Sequence, residues 1–222
     1  MIDDIVFERG DAVLVVESPH TEELKTKHIL AGASGKGVCK ALFGIDHPIG
    51  EIIKTLPYQL SLLNTFQYPL KIETSGRTEL LKEIDCVTYP DKSIRNPSTI
   101  YKDKIKAVLG TNANAPEIIS YKHRVVDALS RTPSRRIAIA GLIAQAVFEY
   151  TFSISGKTAY AKPFEHQVED VISKIFFICH PSPSDGEDGE SAWLTQKNSR
   201  AIESLRLFLD IPKLPGLQKV SP

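Results

Sequence analysis

Four short apolar runs recur along the chain, each bounded by polar or turn residues: AVLVVE (Ala12 to Glu17), YQLSLLN (Tyr58 to Asn64), RIAIAG (Arg136 to Gly141) and KIFFICH (Lys174 to His180). None alternates strictly between apolar and polar positions, so the pattern predicts strands of a parallel sheet covered on both faces. Between the runs the period changes to that of a helix. APEIISYKHRVVDAL puts Ile118, Tyr121, Val125 and Leu129 on one face, with Pro116 in a first turn that tolerates it. LIAQAVFEY follows Gly141 directly, and SAWLTQKNSRAIESLRLFLD carries Ile202, Leu205 and Leu209 at helical spacing before Pro212. Strands alternating with helices predict an α/β fold: a three-layer α/β/α sandwich around a central, mainly parallel four-stranded sheet with right-handed crossovers. The stretch from Lys71 to Asn114 is polar and turn-rich. It predicts a solvated insertion, with an elaborated loop presenting a basic surface at Lys102, Lys104 and Lys106 as the other reading.

Composition narrows the class without naming a partner. With 222 residues, 42% of them hydrophobic, the expectation is one domain over 1–222 with the elaborated insertion at about 71–114. Basic and acidic residues balance at 27 each, so no net field announces nucleic acid, although a local basic face is compatible with that balance. Cys39, Cys86 and Cys179 are far apart and form no Cys-x-x-Cys pair, which fits reduced thiols in the cytoplasm and no cysteine-rich metal cluster. The acidic start, MIDDIVFERGD, lacks a signal-peptide pattern, and no apolar run is long enough to cross a membrane.

In open α/β sheets, ligands bind beyond the carboxyl ends of the strands. The apolar runs end on VVESPH, LLNTF, AIAGLIAQ and ICHPSPS, so parallel strands would bring Glu17, Asn64 and His180 to one rim. Each has an ordinary explanation taken singly: Glu17 as a surface ion-pair partner, Asn64 as a turn or cap residue, His180 as a histidine held by Pro181. A carboxylate, an amide and an imidazole at successive strand ends form a base, a hydrogen-bond reader and an electrophilic helper.

On these residues the chain resembles the uracil-DNA glycosylase superfamily. LSLLNTF is similar to that family's apolar strand ending in the asparagine that reads a pyrimidine edge, IAIAGLIAQAVF to its strand-Gly-x-x-Ala-Gln helix opening, and CHPSPS to its His-Pro-Ser-Pro motif. VVESPHTEE followed by LAGASGKG looks closest to the Gly-Glu-Ala-Pro-Gly first motif of the iron–sulfur subgroup. The four motifs stand in the family's order, from Val13 to about Leu209. The resemblance implies a DNA glycosylase that hydrolyses the N-glycosidic bond of a flipped-out uracil or other modified pyrimidine and leaves an abasic site, in base-excision repair or in defence against phage. Its partner would be DNA, single- or double-stranded, with no membrane, metal or other cofactor.

The chemistry fits the residue types. An N-glycosidic bond breaks as the base departs as an anion and the sugar becomes oxocarbenium-like, which calls for a water-orienting carboxylate and for donors facing the base. The implied catalytic residues are Glu17 and His180, with Asn64, His20 and Leu30 at the base. Flipping the nucleotide needs a grip on phosphates, assigned to Ser182, Ser184, Gly32, Ser34 and Lys36. His28 and Trp193 read as packing or surface residues. The departures from the family are specific. Ser18 replaces its usual catalytic aspartate, His20 the tyrosine that excludes substituted pyrimidines, Leu30 the stacking aromatic and Ser184 the wedging leucine, and the iron–sulfur cysteines are absent. A widened pocket would suit a bulky modified base such as glucosylated hydroxymethylcytosine. Ser18 favours instead a catalytically silent nucleic-acid-binding relative, and a hydrolase of free nucleosides or nucleotides on a similar sandwich is the third reading.

Overall fold

Five strands, Ala12–Val16 (β1), Leu60–Asn64 (β2), Arg136–Ala140 (β3), Pro163–Val168 (β4) and Val171–Ile178 (β5), form one sheet in the order β2-β1-β3-β5-β4. They come from a computed structural model that describes residues 1–70, 78–88, 98–155, 158–182 and 191–212, without the side chains of 98–100. The helices are Thr21–Thr26 (α1), Ala33–Phe43 (α2), Ile49–Ile52 (α3), Glu79–Thr88 (α4), Ser98–Thr111 (α5), Pro116–Ser130 (α6), Leu142–Thr151 (α7) and Ser199–Leu209 (α8). The four predicted strands β1, β2, β3 and β5 are mutually parallel where they pair.

Strand side chains point alternately to the two faces, and each face has its own core. Val13, Val15, Ile137, Ile139, Ile175 and Phe177 pack with side chains of α4, α5, α6 and α7. Leu14, Val16, Ala138, Ala140, Phe176 and Ile178 pack with α2, α3 and α8. Full burial of each large apolar side chain contributes about 1.5–3 kcal/mol, so these two layers dominate the cohesion of the fold. The expected helical faces are buried as predicted: Ile118, Tyr121, Val125 and Leu129 in α6, and Ile202, Leu205 and Leu209 in α8. The first part of the SAWLTQKNS stretch forms short 3-10 turns, so α8 starts only at Ser199.

The sheet departs from the four-stranded expectation by an antiparallel edge strand, β4. It pairs with β5 through a two-residue turn in which Glu169 takes a left-handed conformation, φ 51°. Pro163 and the partly exposed PFEHQV pattern hide it from an apolar-run search, because an edge strand open to water on one side needs few apolar residues.

The 71–114 stretch also differs from a solvated insertion. Its described part contains α4 and α5, whose Leu80, Leu81, Ile84, Ile105 and Leu109 enter the core. The anticipated basic surface is largely consumed there. Lys102 and Lys106 contact the Glu149 carboxylate at 2.8 and 2.5 Å, and Lys104 lies over the Tyr101 ring. Among the described residues, no helix is long and apolar enough to cross a membrane.

Candidate active site

The chain leaves β1 toward β2 on one side and later returns to β3 on the other, which makes the gap between β1 and β3 the switch point of the sheet. Glu17 follows β1 directly into that gap. Its Oε1 accepts the Ile143 N–H at 3.1 Å, in the first turn of α7, where the helix presents unpaired amides to an anion. Gly141, between β3 and α7, has φ 103°, and a Cβ there would come within 2.3 Å of Glu17 Oε1. The glycine in IAIAG therefore serves both a backbone conformation that side chains disfavour and the close approach of the carboxylate.

His180, two residues beyond β5, faces Glu17 with Nε2 3.9 Å from Oε2, beyond direct hydrogen bonding. Its other ring nitrogen is engaged: Nδ1 accepts the Ser182 N–H at 3.1 Å and lies 2.7 Å from the Ser182 hydroxyl. A backbone N–H can only donate, so the neutral ring carries its proton on Nε2, on the Glu17 side. The loop is pinned in turn by Ser191 Oγ donating to the Pro181 carbonyl, Ala192 N–H to the Ser182 carbonyl, and the buried Trp193 indole to the Cys179 carbonyl. Trp193 thus packs, as expected.

Beside this pair lies a cleft of about 270 Å³, walled by Val16 and Ser18, by His20 and Glu23, by Leu30, Gly32, Ala33 and Ser34, and by His180 and Ser182. Glu17 falls in sequence between the lining residues Val16 and Ser18 and adjoins the cleft through its approach to His180. The His20 ring meets His180 edge-on, with centroids 6.2 Å apart. Leu30 is buried in the left-handed conformation, φ 53°, a strained choice for a residue with a Cβ. Gly35 lets α2 press against it, since a Cβ there would meet the Leu30 carbonyl oxygen at 1.6 Å. Gly32 is the N-cap of α2, and Ser34 stands in its first turn, so both reach the cleft.

Asn64 is fully buried at the end of β2, and its side-chain Oδ1 and Nδ2 have no hydrogen-bond partner among the described residues. It pairs in register with Val16, and parallel partners point to the same face, so the amide lies on the cleft side of the sheet next to the cleft wall. A buried amide without partners costs about 1–3 kcal/mol, which makes the position unusual for a residue that only packs.

The predicted site residues divide accordingly. His180, His20, Leu30, Gly32, Ser34 and Ser182 line the cleft, while Glu17 adjoins it 3.9 Å from His180 and Asn64 adjoins it beside Val16. Ser182 does so as the partner of His180. Lys36 is not a cleft residue; its ammonium reaches Asp46 at 3.4 Å from an exposed turn of α2. Ser184 lies outside the described residues.

Two features went unread in the sequence. Glu23, 4% exposed, accepts the N–H of His20 at 2.7 Å on Oε2 and that of Leu30 at 2.6 Å on Oε1, tying together two cleft walls. Burial raises its pKa above the ordinary glutamate value, against the opposing effect of those bonds. Glu three residues after the helix cap is the signal that could have found it. The second feature is the Asp4–Arg124 ion pair, 2.5 Å, against the backbone of Asn64. Among the described residues, no group of three or more His, Cys, Asp or Glu is placed to hold a metal ion. No protein-family model matches the chain, and no curated protein matches it.

Proposed function

We propose that the chain is a DNA glycosylase of the uracil-DNA glycosylase type, hydrolysing the N-glycosidic bond of a flipped-out uracil or other modified pyrimidine. The observation that carries this is the Glu17–His180 approach at the switch point of a parallel sheet, with the proton of the neutral imidazole on Nε2. As the bond between C1′ and the base nitrogen breaks, its electron pair leaves with the base. The His180 Nε2–H donates to the base carbonyl where that charge accumulates. Glu17 faces the cationic sugar; water adds its oxygen to C1′ and gives up a proton to the carboxylate. Asn64, whose amide lacks partners among the described residues, offers both a donor and an acceptor to the pyrimidine edge. The backbone amides of Ala33 and Ser34, at the start of α2 and on the cleft, suit a flanking phosphate.

Product analysis tests this: each event must yield one free base and one alkali-labile abasic site in an otherwise intact strand. A strand that stays alkali-stable while base is released from free nucleosides contradicts it.

One observation favours the nucleoside or nucleotide hydrolase as the second reading. Lys36, Lys102 and Lys106 are engaged by acids, which leaves fewer cations for a long polyanion. Salt discriminates between the two. Release from DNA falls steeply with sodium chloride as counterion release is lost, whereas cleavage of a free nucleoside barely responds.

A further inference from the structure

β2 lies at one edge of the sheet, so among the described residues the outward N–H and C=O groups of β2 have no strand beside them. The N-terminal segment covers that edge. Ile5 and Leu62 exchange backbone hydrogen bonds of 2.9 and 2.8 Å, and the Ile2 N–H donates to the Gln67 carbonyl at 2.9 Å. Two residues beyond Leu62, the same outward groups belong to Asn64, and there side chains replace the backbone. The Asn64 N–H donates to Asp4 Oδ1 at 3.0 Å, and the Asn64 carbonyl accepts from Arg124 Nη1 at 2.7 Å. Arg124 Nη2 also donates to the Thr65 carbonyl at 3.0 Å, while its Nη1 pairs with Asp4 Oδ2 at 2.5 Å. On its other side the chain is tied to β1, with the Thr65 N–H and hydroxyl both donating to the Val16 carbonyl at 2.8 Å.

We infer that Asp4 and Arg124 are positioning residues for base selection, holding the outward N–H and C=O of Asn64 so that its amide meets one pyrimidine edge at a fixed angle. The inference rests on the glycosylase reading. Its physical basis is the geometry of the guanidinium: a planar fork can donate in parallel to two successive carbonyls and an acid, whereas a lysine ammonium supplies a point charge without that plane. Arg124 is 17% and Asp4 8% exposed in the side chain, so water competes little for these bonds. Among the described residues the asparagine side chain has no partner of its own to fix it. Its orientation depends on the backbone from which it projects.

The test uses the full-length protein and two oligonucleotides in one tube, carrying the two bases that the wild type releases fastest from a panel of uracil, hypoxanthine, hydroxymethylcytosine and cytosine. The readout is the ratio of the two release rates. Partial unfolding scales both rates equally and leaves the ratio unchanged, so a merely structural role does not move it. R124K is expected to lower the discrimination at least tenfold, seen as release of a second base if the wild type takes only one. D4N, which keeps an acceptor for the Asn64 N–H but removes the charge opposite Arg124, is expected to lower it less. N64D serves as the direct perturbation of the reader. If N64D shifts the ratio while R124K and D4N leave it at the wild-type value, the positioning role is overturned and the glycosylase reading stands. If the wild type releases no base, both fall together.

Discussion

His180 Nε2 and Glu17 Oε2 stand 3.9 Å apart, each held from behind by a different strand end: the histidine by Ser182 beyond β5, the carboxylate by the Ile143 amide beyond β3. Neither bond comes from the other member of the pair. The two groups are therefore preorganised independently, which leaves their facing atoms for a substrate.

Ser182 is expected to act through His180 rather than on DNA. S182A removes the hydroxyl donor to Nδ1 but keeps the backbone N–H, so about one hydrogen bond, roughly 1 kcal/mol, is lost. We expect kcat to fall about fivefold with KM unchanged, and ¹⁵N spectra of the labelled imidazole to show a smaller share of the Nε2–H tautomer. A rise in KM with kcat unchanged would return Ser182 to the phosphate-binding role.

Glu23 fastens the His20 and Leu30 walls through two backbone amides. E23Q turns one of its two acceptors into a donor that faces an N–H. KM is expected to rise roughly tenfold, at 1–3 kcal/mol for the unsatisfied donor, with faster hydrogen exchange at the Leu30 amide. Because burial raises the pKa of this carboxyl, wild-type KM should climb as acid is approached before exposed glutamates titrate, and E23Q should show no such limb.

Glu149 gives a prediction of stability. Burial disfavours its charge, but the hydrogen bonds from Lys102 and Lys106 outweigh that and hold its pKa below the ordinary value of 4.5. A depressed carboxyl stabilises the fold above its unfolded pKa and loses that contribution as pH falls through the folded value. E149Q is expected to cost about 2 kcal/mol at neutral pH, less than a fully buried pair because the lysines keep some exposure. The gap between wild type and E149Q should close below pH 4.5, as followed by urea unfolding. A gap that stays constant to lower pH would contradict the charge-based account.

Much of this was legible in the sequence where the residues report on themselves. β1, β2, β3 and β5 are continuous apolar runs because both of their faces are covered, and Glu17, Asn64 and His180 are the polar residues that end them. The remainder depends on pairings between distant positions. β4 is an edge strand whose exposed face carries polar residues. α4 and α5 are anchored by few apolar positions, and their lysines become legible only once Glu149 is brought across from α7. Arg124 sits on the polar side of an ordinary amphipathic helix, and nothing local ties it to Asp4, 120 residues earlier. Leu30 reads as a stacking position, whereas its left-handed backbone depends on Gly35 and Glu23 packing around it.

The central claim, that Glu17 and His180 cleave a glycosidic bond in DNA, is tested most directly by counting free base. Wild type, E17Q and H180A would be incubated side by side with oligonucleotides holding uracil in single and double strands, hypoxanthine, hydroxymethylcytosine and its glucosylated form, and released base measured by mass spectrometry. We predict that the wild type liberates at least one of these bases and that both variants slow its release by orders of magnitude while remaining folded. Near-wild-type release by both variants, or silence from the wild type across the panel with DNA binding retained, would contradict it.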